Sequence, residues 1–277
     1  MTRTAAIQMN SGSDVSANLA LADRLLSDAA ADGCTLAVLP ENFALMPTHA
    51  RDKANHAEWP GDGPIQTFLA DAAKRHGLWI IGGSIPLTSP DEKRVYGACV
   101  VINSDGDASA IYRKIHLFDV DLPDCDESYR ESNSMYPGNE TAVVDTPIGV
   151  IGLTICYDVR FPELFRALVD QGATVFTVPA AFTVVTGTAH WHTLLRARAI
   201  ENLAWVIAAA QFGTHADGRQ TFGHSLICDP WGRILTERAD GNAVVAAEID
   251  TEAPLHLRQE FPALMNRRLN ELQENVT

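Results

Sequence analysis

The stretch Gly149-Val-Ile-Gly-Leu-Thr-Ile-Cys-Tyr-Asp-Val-Arg-Phe-Pro-Glu-Leu164 reads as a buried strand, a tight turn and the opening of a helix. Gly149 to Ile155 is an apolar run too short for a helix, and Pro162 suits a first helical turn, where a missing N–H costs nothing. A strand that turns into a helix is the repeating unit of α/β layer proteins. The residue in that turn is Cys156, just beyond the carboxyl end of the strand, where ligands of such sheets collect. A cysteine so placed turns its sulfur outward beside helix amides, which favours the thiolate. One window thus supplies a fold class and a candidate nucleophile.

The same alternation extends in both directions. Thr4 to Met9 reads as a strand, Asp14 to Ala31 as an amphipathic helix stopped at Gly33, and Leu36 to Leu39 as a buried strand ending at Pro40. A helix from Ile65 to His76 and a strand from Leu78 to Ile81 repeat the pattern. Val95 to Ile102 and Ala108 to Tyr112 form a hairpin around Asp105-Gly106, so the sheet is mixed. Beyond the opening window, Phe161 to Asp170 and Ala189 to Asn202 are helices. Ala173 to Val178, Trp205 to Gln211, His224 to Cys228, Arg233 to Glu237 and Ala243 to Ile249 are strands. No linker or repeat divides the chain, and residues 1–277 read as a single domain. Phe118 to Gly138 reads as a loop; Asp119 to Glu131 within it holds six acids against Arg130 alone.

Composition removes several functions. The 277 residues carry 21 basic and 35 acidic side chains, a net charge of -14 that repels nucleic-acid phosphates and anionic membrane surfaces. No nucleic-acid or membrane partner is expected. The first ten residues turn polar before an export signal could form, and the uncharged stretch after Gln171 is broken by Gly172, Pro179 and Gly187. Cys34, Cys99, Cys125, Cys156 and Cys228 are scattered and never spaced as CxxC, which argues for a reducing, cytoplasmic location. There is no GxGxxG, no phosphate-binding loop and no HExxH, and Ile227 spoils a GxSxG after Gly223-His224-Ser225. His190 and His192 fall on different helix faces, so no metal and no cofactor are expected.

Three polar residues remain, each following an apolar strand: Glu41, Lys114 and Cys156. Taken singly, they also read as a turn cap, half of a solvated basic pair with Arg113, and a small core residue. Taken together they match one chemistry, with a carboxylate as proton acceptor, sulfur as nucleophile and an ammonium that stabilises an oxyanion.

Leu39-Pro-Glu-Asn-Phe43, Tyr112-Arg-Lys-Ile-His-Leu-Phe-Asp119 and Gly152 to Leu164 resemble, in order and spacing, the three signature blocks of the nitrilase superfamily of carbon-nitrogen hydrolases. The resemblance runs from about Thr4 to Asp250 and implies an αββα sandwich, two mixed sheets flanked by helices, with a Glu-Lys-Cys triad at Glu41, Lys114 and Cys156. It places the family's second glutamate at Glu131, which residue pattern alone does not distinguish from Glu127. The blocks Glu131-Ser-Asn-Ser134, Leu194 to Glu201, Ala208-Ala-Ala-Gln211 and Phe222-Gly-His-Ser225 with Asp229-Pro-Trp-Gly232 are similar to the deaminated glutathione amidase branch, and omega-amidases acting on 2-oxoglutaramate share most of them. The resemblance implies a cysteine thioester, attack on a primary amide of a small 2-oxo acid and release of ammonia. The oxyanion would be held by Lys114 and the Tyr157 N–H, and Glu131 would orient Lys114 or the substrate. Arg160 would pair with a substrate carboxylate or, equally, with a loop acid. A homodimer or higher homo-oligomer is implied, with the helix face around Leu164 and Leu168 contributing. The alternatives are another amidase or a nitrilase, an acyl transferase, and a catalytically idle binding member of the fold.

Overall fold

The computed structural model describes residues 1–49, 51–122 and 127–268. Cys125, counted above, lies outside them. Two mixed sheets lie face to face. In the first, Thr2–Gln8 pairs antiparallel with Ala243–Ile249 and parallel with Leu36–Val38, which is parallel to Trp79–Ile81. Val95–Ile102 then runs antiparallel to Trp79–Ile81, Ile85–Thr88 and Ala108–Arg113. The second sheet runs in the order Ile234–Arg238, Ser225–Cys228, Trp205–Ala208, Val175–Thr177, Gly149–Leu153 and Val143–Thr146, with its three central strands parallel.

The alternation of side chains along a strand assigns the layers. Ala5, Ile7, Ala37 and Ile80 face the helices Val15–Ala31 and Pro64–His76, packing with Leu26, Ile65 and Leu69. Ala6, Leu36, Val38 and Ile81 face the second sheet and share a core with Ile151, Leu153, Val175 and Val206. The far side of that sheet is covered by Pro162–Asp170 and Val184–Asn202. This is the αββα sandwich. Leu164 and Leu168, expected to contribute to an interface, are buried against their own sheet instead. The expected stretch Phe118 to Gly138 is not all loop. Asp119–Asp121 and Ser128–Arg130 pair as a short hairpin, followed by a 3-10 turn at Glu131–Asn133. Across the hairpin Arg130 pairs with Asp121 at 2.8 Å and donates to the Val120 carbonyl, which offsets part of the acidic surplus.

The helix expected from Ala189 begins at Val184, with the Thr183 hydroxyl capping the Thr186 N–H. Gly187 lies within this helix without breaking it and permits a close approach: a Cβ on it would lie 2.3 Å from the Phe222 ring.

Candidate active site

The two sheets are joined at one end, where Met9 bridges to Gln211, and the three strand-end residues meet at that end. Glu41, Lys114 and Cys156 are only 5%, 2% and 8% exposed. They form the floor of a cavity of about 280 Å³, which Glu131 and Tyr157 also line.

Backbone contacts hold Glu41 before its side chain makes any. Its carbonyl accepts from Gln211 Nε2 at 3.1 Å, and the next residue, Asn42, sits at φ 58° with its N–H donated to Ser84 Oγ. The chain of Gly83 passes so near that a Cβ there would lie 2.1 Å from the Pro40 carbonyl oxygen. The two carboxylate oxygens then take separate partners: Oε1 accepts from Lys114 Nζ at 3.0 Å and Oε2 from the Ala181 N–H at 2.9 Å. Lys114 also donates to both oxygens of Glu131, at 2.9 and 2.8 Å, and Glu131 Oε2 accepts the Phe118 N–H at 2.6 Å. Lys114 thus bridges two glutamates, and its three N–H bonds are all engaged.

Cys156 occupies the left-handed region at φ 49°, rare for a residue with a side chain, and its N–H donates to the Pro179 carbonyl at 2.8 Å. The strain is contained by Asp158, which the sequence reading overlooked. This fully buried carboxylate accepts from the Tyr112 hydroxyl at 2.8 Å, the Ile155 N–H at 2.8 Å, and His116 Nδ1 at 2.7 Å. Since Tyr112 and His116 flank Lys114, Asp158 ties the lysine strand to the cysteine turn. Its position in Cys-Tyr-Asp was a visible signal, but an acid there reads equally well as an ordinary first-turn residue.

The surroundings of Cys156 do not favour the thiolate, against what its place beside the helix suggests. Burial first, and then the Glu41 charge, push the Cys156 thiol well above its ordinary range, against the smaller pull of Lys114 and the Ala181 amide. Burial also works against the charged Glu41, but Lys114 above all, then Lys53 and hydrogen bonds from Lys114 and Cys156, leave its carboxyl below the usual range. Burial likewise opposes the Lys114 charge and is outweighed by Glu131 and Glu41, so the ammonium is held well above its ordinary range. The site at rest is a thiol hydrogen-bonded to a carboxylate, the arrangement of a nucleophile with its general base.

A family model for carbon-nitrogen hydrolases matches residues 3–254. The chain belongs to that family. This carbon-nitrogen hydrolase is 42% identical over 265 residues to the deaminated glutathione amidase of Yersinia enterocolitica, covering 95% of this chain and 92% of the relative. It is 40% identical to the human protein of that name, covering 95% and 81%. Among solved structures, the Caenorhabditis elegans NitFhit protein superposes with a TM-score of 0.89 at 37% identity, over 96% of this chain and 65% of that one. Saccharomyces cerevisiae Nit3, a branch 10 member of the nitrilase superfamily, gives 0.86 at 31% identity, over 97% and 96%. The hydrolase is therefore an amidase of the nitrilase superfamily.

Arg160 of this hydrolase is not among the residues that line the cavity, although its guanidinium lies close enough to Cys156 for their charges to interact. Its guanidinium lies over the rings of Phe182 and Tyr157, at 5.1 and 5.8 Å, and contacts His190 Nδ1 at 3.2 Å, not a loop acid. Phe182 and Tyr157 themselves line the cavity, and the cations that line it are Lys53, Lys114, Arg130 and Arg219. His190 and His192 point to different partners, as their spacing requires. His192 does gather with His224 and Glu237, ligand-type atoms within 4.8 Å of one another. Glu237 Oε1 accepts from both imidazoles, so the cluster satisfies itself, and none of the three lines the cavity.

Proposed function

We propose that this amidase hydrolyses deaminated glutathione at the amide bond of its 2-oxo acid, with Cys156 as nucleophile, Glu41 as general base and acid, and Lys114 and Glu131 as the charged frame. The observation that carries the amide chemistry is the Glu41 carboxylate, fixed by Lys114 and the Ala181 N–H while it accepts the Cys156 thiol. The substrate follows from the likeness to deaminated glutathione amidases across 95% of the chain.

As Sγ attacks the amide carbon, Glu41 takes the thiol proton and the C=O electron pair moves onto oxygen. The Tyr157 amide, in the first turn of the 3-10 helix Cys156–Arg160, has no intrahelical acceptor and donates to that oxyanion. Lys114 adds its charge, since its N–H bonds are engaged by the glutamates. Collapse breaks the C–N bond, and the leaving amine takes the proton from Glu41. Water, deprotonated by Glu41, then opens the thioester, releases the carboxylic acid and restores the thiol.

Deaminated glutathione has no primary amide. The bond to its 2-oxo acid is a secondary amide to cysteinylglycine, so the product is that dipeptide and not the ammonia expected from sequence. Ammonia is the product of the second reading, an omega-amidase acting on 2-oxoglutaramate. Incubating purified protein with each compound and measuring 2-oxoglutarate, cysteinylglycine and ammonia separates the two. Higher kcat/KM on deaminated glutathione supports the first reading, and a preference for neutral amides or nitriles overturns both.

Self-association into a homodimer belongs to the same proposal, supported by Ile200, Leu255 and the edge-packed pair Trp231 and Phe261, all exposed on the surface. Light scattering that reports a stable 30.0 kDa species at micromolar concentration would overturn it. No helix among the described residues is long and apolar enough to cross a membrane. Cytoplasmic residence is proposed on the free, buried thiols of Cys34, Cys99, Cys156 and Cys228.

A further inference from the structure

Of the four cations that line the cavity, three have acids of their own. Lys114 holds Glu41 and Glu131, Arg130 holds Asp121 at 2.8 Å, and Arg219 holds Asp217 at 3.2 Å. Lys53 is the exception: among the described residues no carboxylate oxygen lies within 4.0 Å of its ammonium. Its placement is built. The Asp52 carboxylate accepts the N–H groups of Thr48 and His49, each at 2.8 Å, and the Thr48 hydroxyl at 3.0 Å. These bonds pin the segment that brings Pro47, Thr48 and His49 to the cavity and present the next residue, Lys53, on the short helix Asp52–Asn55.

A partly buried cation without a counter-ion is costly, and burial holds the Lys53 ammonium below the usual lysine range despite the attraction of Glu131 and Glu41. With a net charge of -14, the protein repels an anionic substrate at long range, so recognition of a carboxylate has to come from a local donor. We propose that Lys53 is a carboxylate-binding subsite, whose ammonium pairs with a carboxylate of the amide substrate as it enters the cavity. The inference rests on the amidase reading above and adds the group that selects anionic amides. Deaminated glutathione offers two such carboxylates, one on the 2-oxo acid and one on glycine. The alternative role for Lys53 is to tune Glu41, whose carboxyl its charge helps to keep ionised.

Lys53→Met and Lys53→Arg, made in the full chain, distinguish these roles through kcat and KM on three substrates: deaminated glutathione, 2-oxoglutaramate and the neutral pentanamide. The subsite predicts that Lys53→Met raises KM for deaminated glutathione at least about 10-fold more than for pentanamide, while Lys53→Arg recovers most of the loss. A KM rise shared by 2-oxoglutaramate puts the contact on the 2-oxo acid, and one confined to deaminated glutathione puts it on glycine. A fall in kcat common to all three substrates with KM unmoved overturns the subsite and makes Lys53 a modulator of Glu41. Calorimetry with the products 2-oxoglutarate and cysteinylglycine gives a readout independent of turnover. About 10-fold weaker binding of either to Lys53→Met supports the subsite even if deaminated glutathione is not hydrolysed, in which case the substrate reading fails alone. Wild-type KM and wild-type product binding in Lys53→Met, with deaminated glutathione turned over normally, overturn the subsite alone.

Discussion

The floor and the rim of the cavity are built differently. Glu41, Lys114 and Cys156 stand at the ends of sheet strands, nearly sealed from solvent, with their polar contacts fixed by backbone amides, by one another or by Glu131. Lys53, Tyr129 and Arg219 reach the same cavity from a four-residue helix and from two small hairpins that belong to neither large sheet. Bond-breaking needs groups held to fractions of an ångström, which rigid strands provide. Selection among substrates tolerates excursions, where side chains change without disturbing the core. The comparison predicts that floor substitutions act on kcat and rim substitutions on KM.

The largest effect tests the floor directly. Cys156→Ala removes the nucleophile but leaves the packing nearly intact, so hydrolysis should fall about 10⁴-fold or more with an unchanged thermal melt. Mass spectrometry of the wild-type protein with a slow amide should find the acyl group on Cys156. Acylation of any other cysteine would break the assignment.

Next in size is Lys114→Arg. The guanidinium keeps the charge but is a wide planar fork, and it cannot present three N–H bonds to Glu41 and to both Glu131 oxygens from the same point. Activity should drop on the order of 100-fold, about as far as in Lys114→Ala. Near-normal turnover would show that the fixed bonds from Lys114 to the two glutamates are not needed and that its charge alone suffices, so that the floor is not sharply built.

The floor was largely legible in the sequence because a polar residue after an apolar strand is a conspicuous break in pattern. Glu41, Lys114 and Cys156 each satisfy it, and the layers followed from the same alternation. The rim was not legible. Lys53 lies in a short polar stretch with no periodicity, and only the Asp52 contacts to Thr48 and His49 explain where it points. Arg160 is four residues from Cys156 along the chain, and its guanidinium packs on the Phe182 and Tyr157 rings without lining the cavity, a packing that the sequence does not show. Gly187 looked like a helix breaker because its reason, the Phe222 ring, lies 35 positions away. The pull toward a thiolate expected from the turn is outweighed for a related reason: position beside a helix is visible in sequence, but burial against Glu41 is not.

A smaller effect sharpens the comparison from behind the floor. Asp158→Asn is nearly isosteric, but it turns one acceptor oxygen into a donor amid the Tyr112 hydroxyl, the Ile155 and His116 N–H groups and His116 Nδ1. At least one buried donor is left unsatisfied, at a cost of about 1–3 kcal/mol in stability. Because Asp158 positions both the lysine strand and the cysteine turn, kcat should fall about 10-fold while KM changes little. Denaturant unfolding and steady-state kinetics check the two halves. A variant that loses stability but keeps kcat would make Asp158 a purely structural residue.

The smallest expected effect is on pH dependence, and it follows from Glu41 and Cys156, two of the three perturbed groups on the floor. Glu41 has a carboxyl below its ordinary range, so the base stays ionised as pH falls and is lost only below about pH 4.3, the usual glutamate value. Cys156 has a thiol well above its ordinary range, so no thiolate accumulates as pH rises through the usual cysteine value of about 8.5. The substrate carboxylates are ionised throughout this interval. The reactive pair, neutral thiol and anionic carboxylate, is therefore the populated form on both sides of neutrality, and kcat/KM should vary by less than about 3-fold between pH 5.5 and 8.5. A tenfold rise per pH unit between 7 and 9 would mean that free thiolate is the attacking species and that Glu41 is not its base. A flat profile in the wild type that gains such an alkaline rise in Glu41→Gln would identify this carboxylate as the group that replaces hydroxide as proton acceptor.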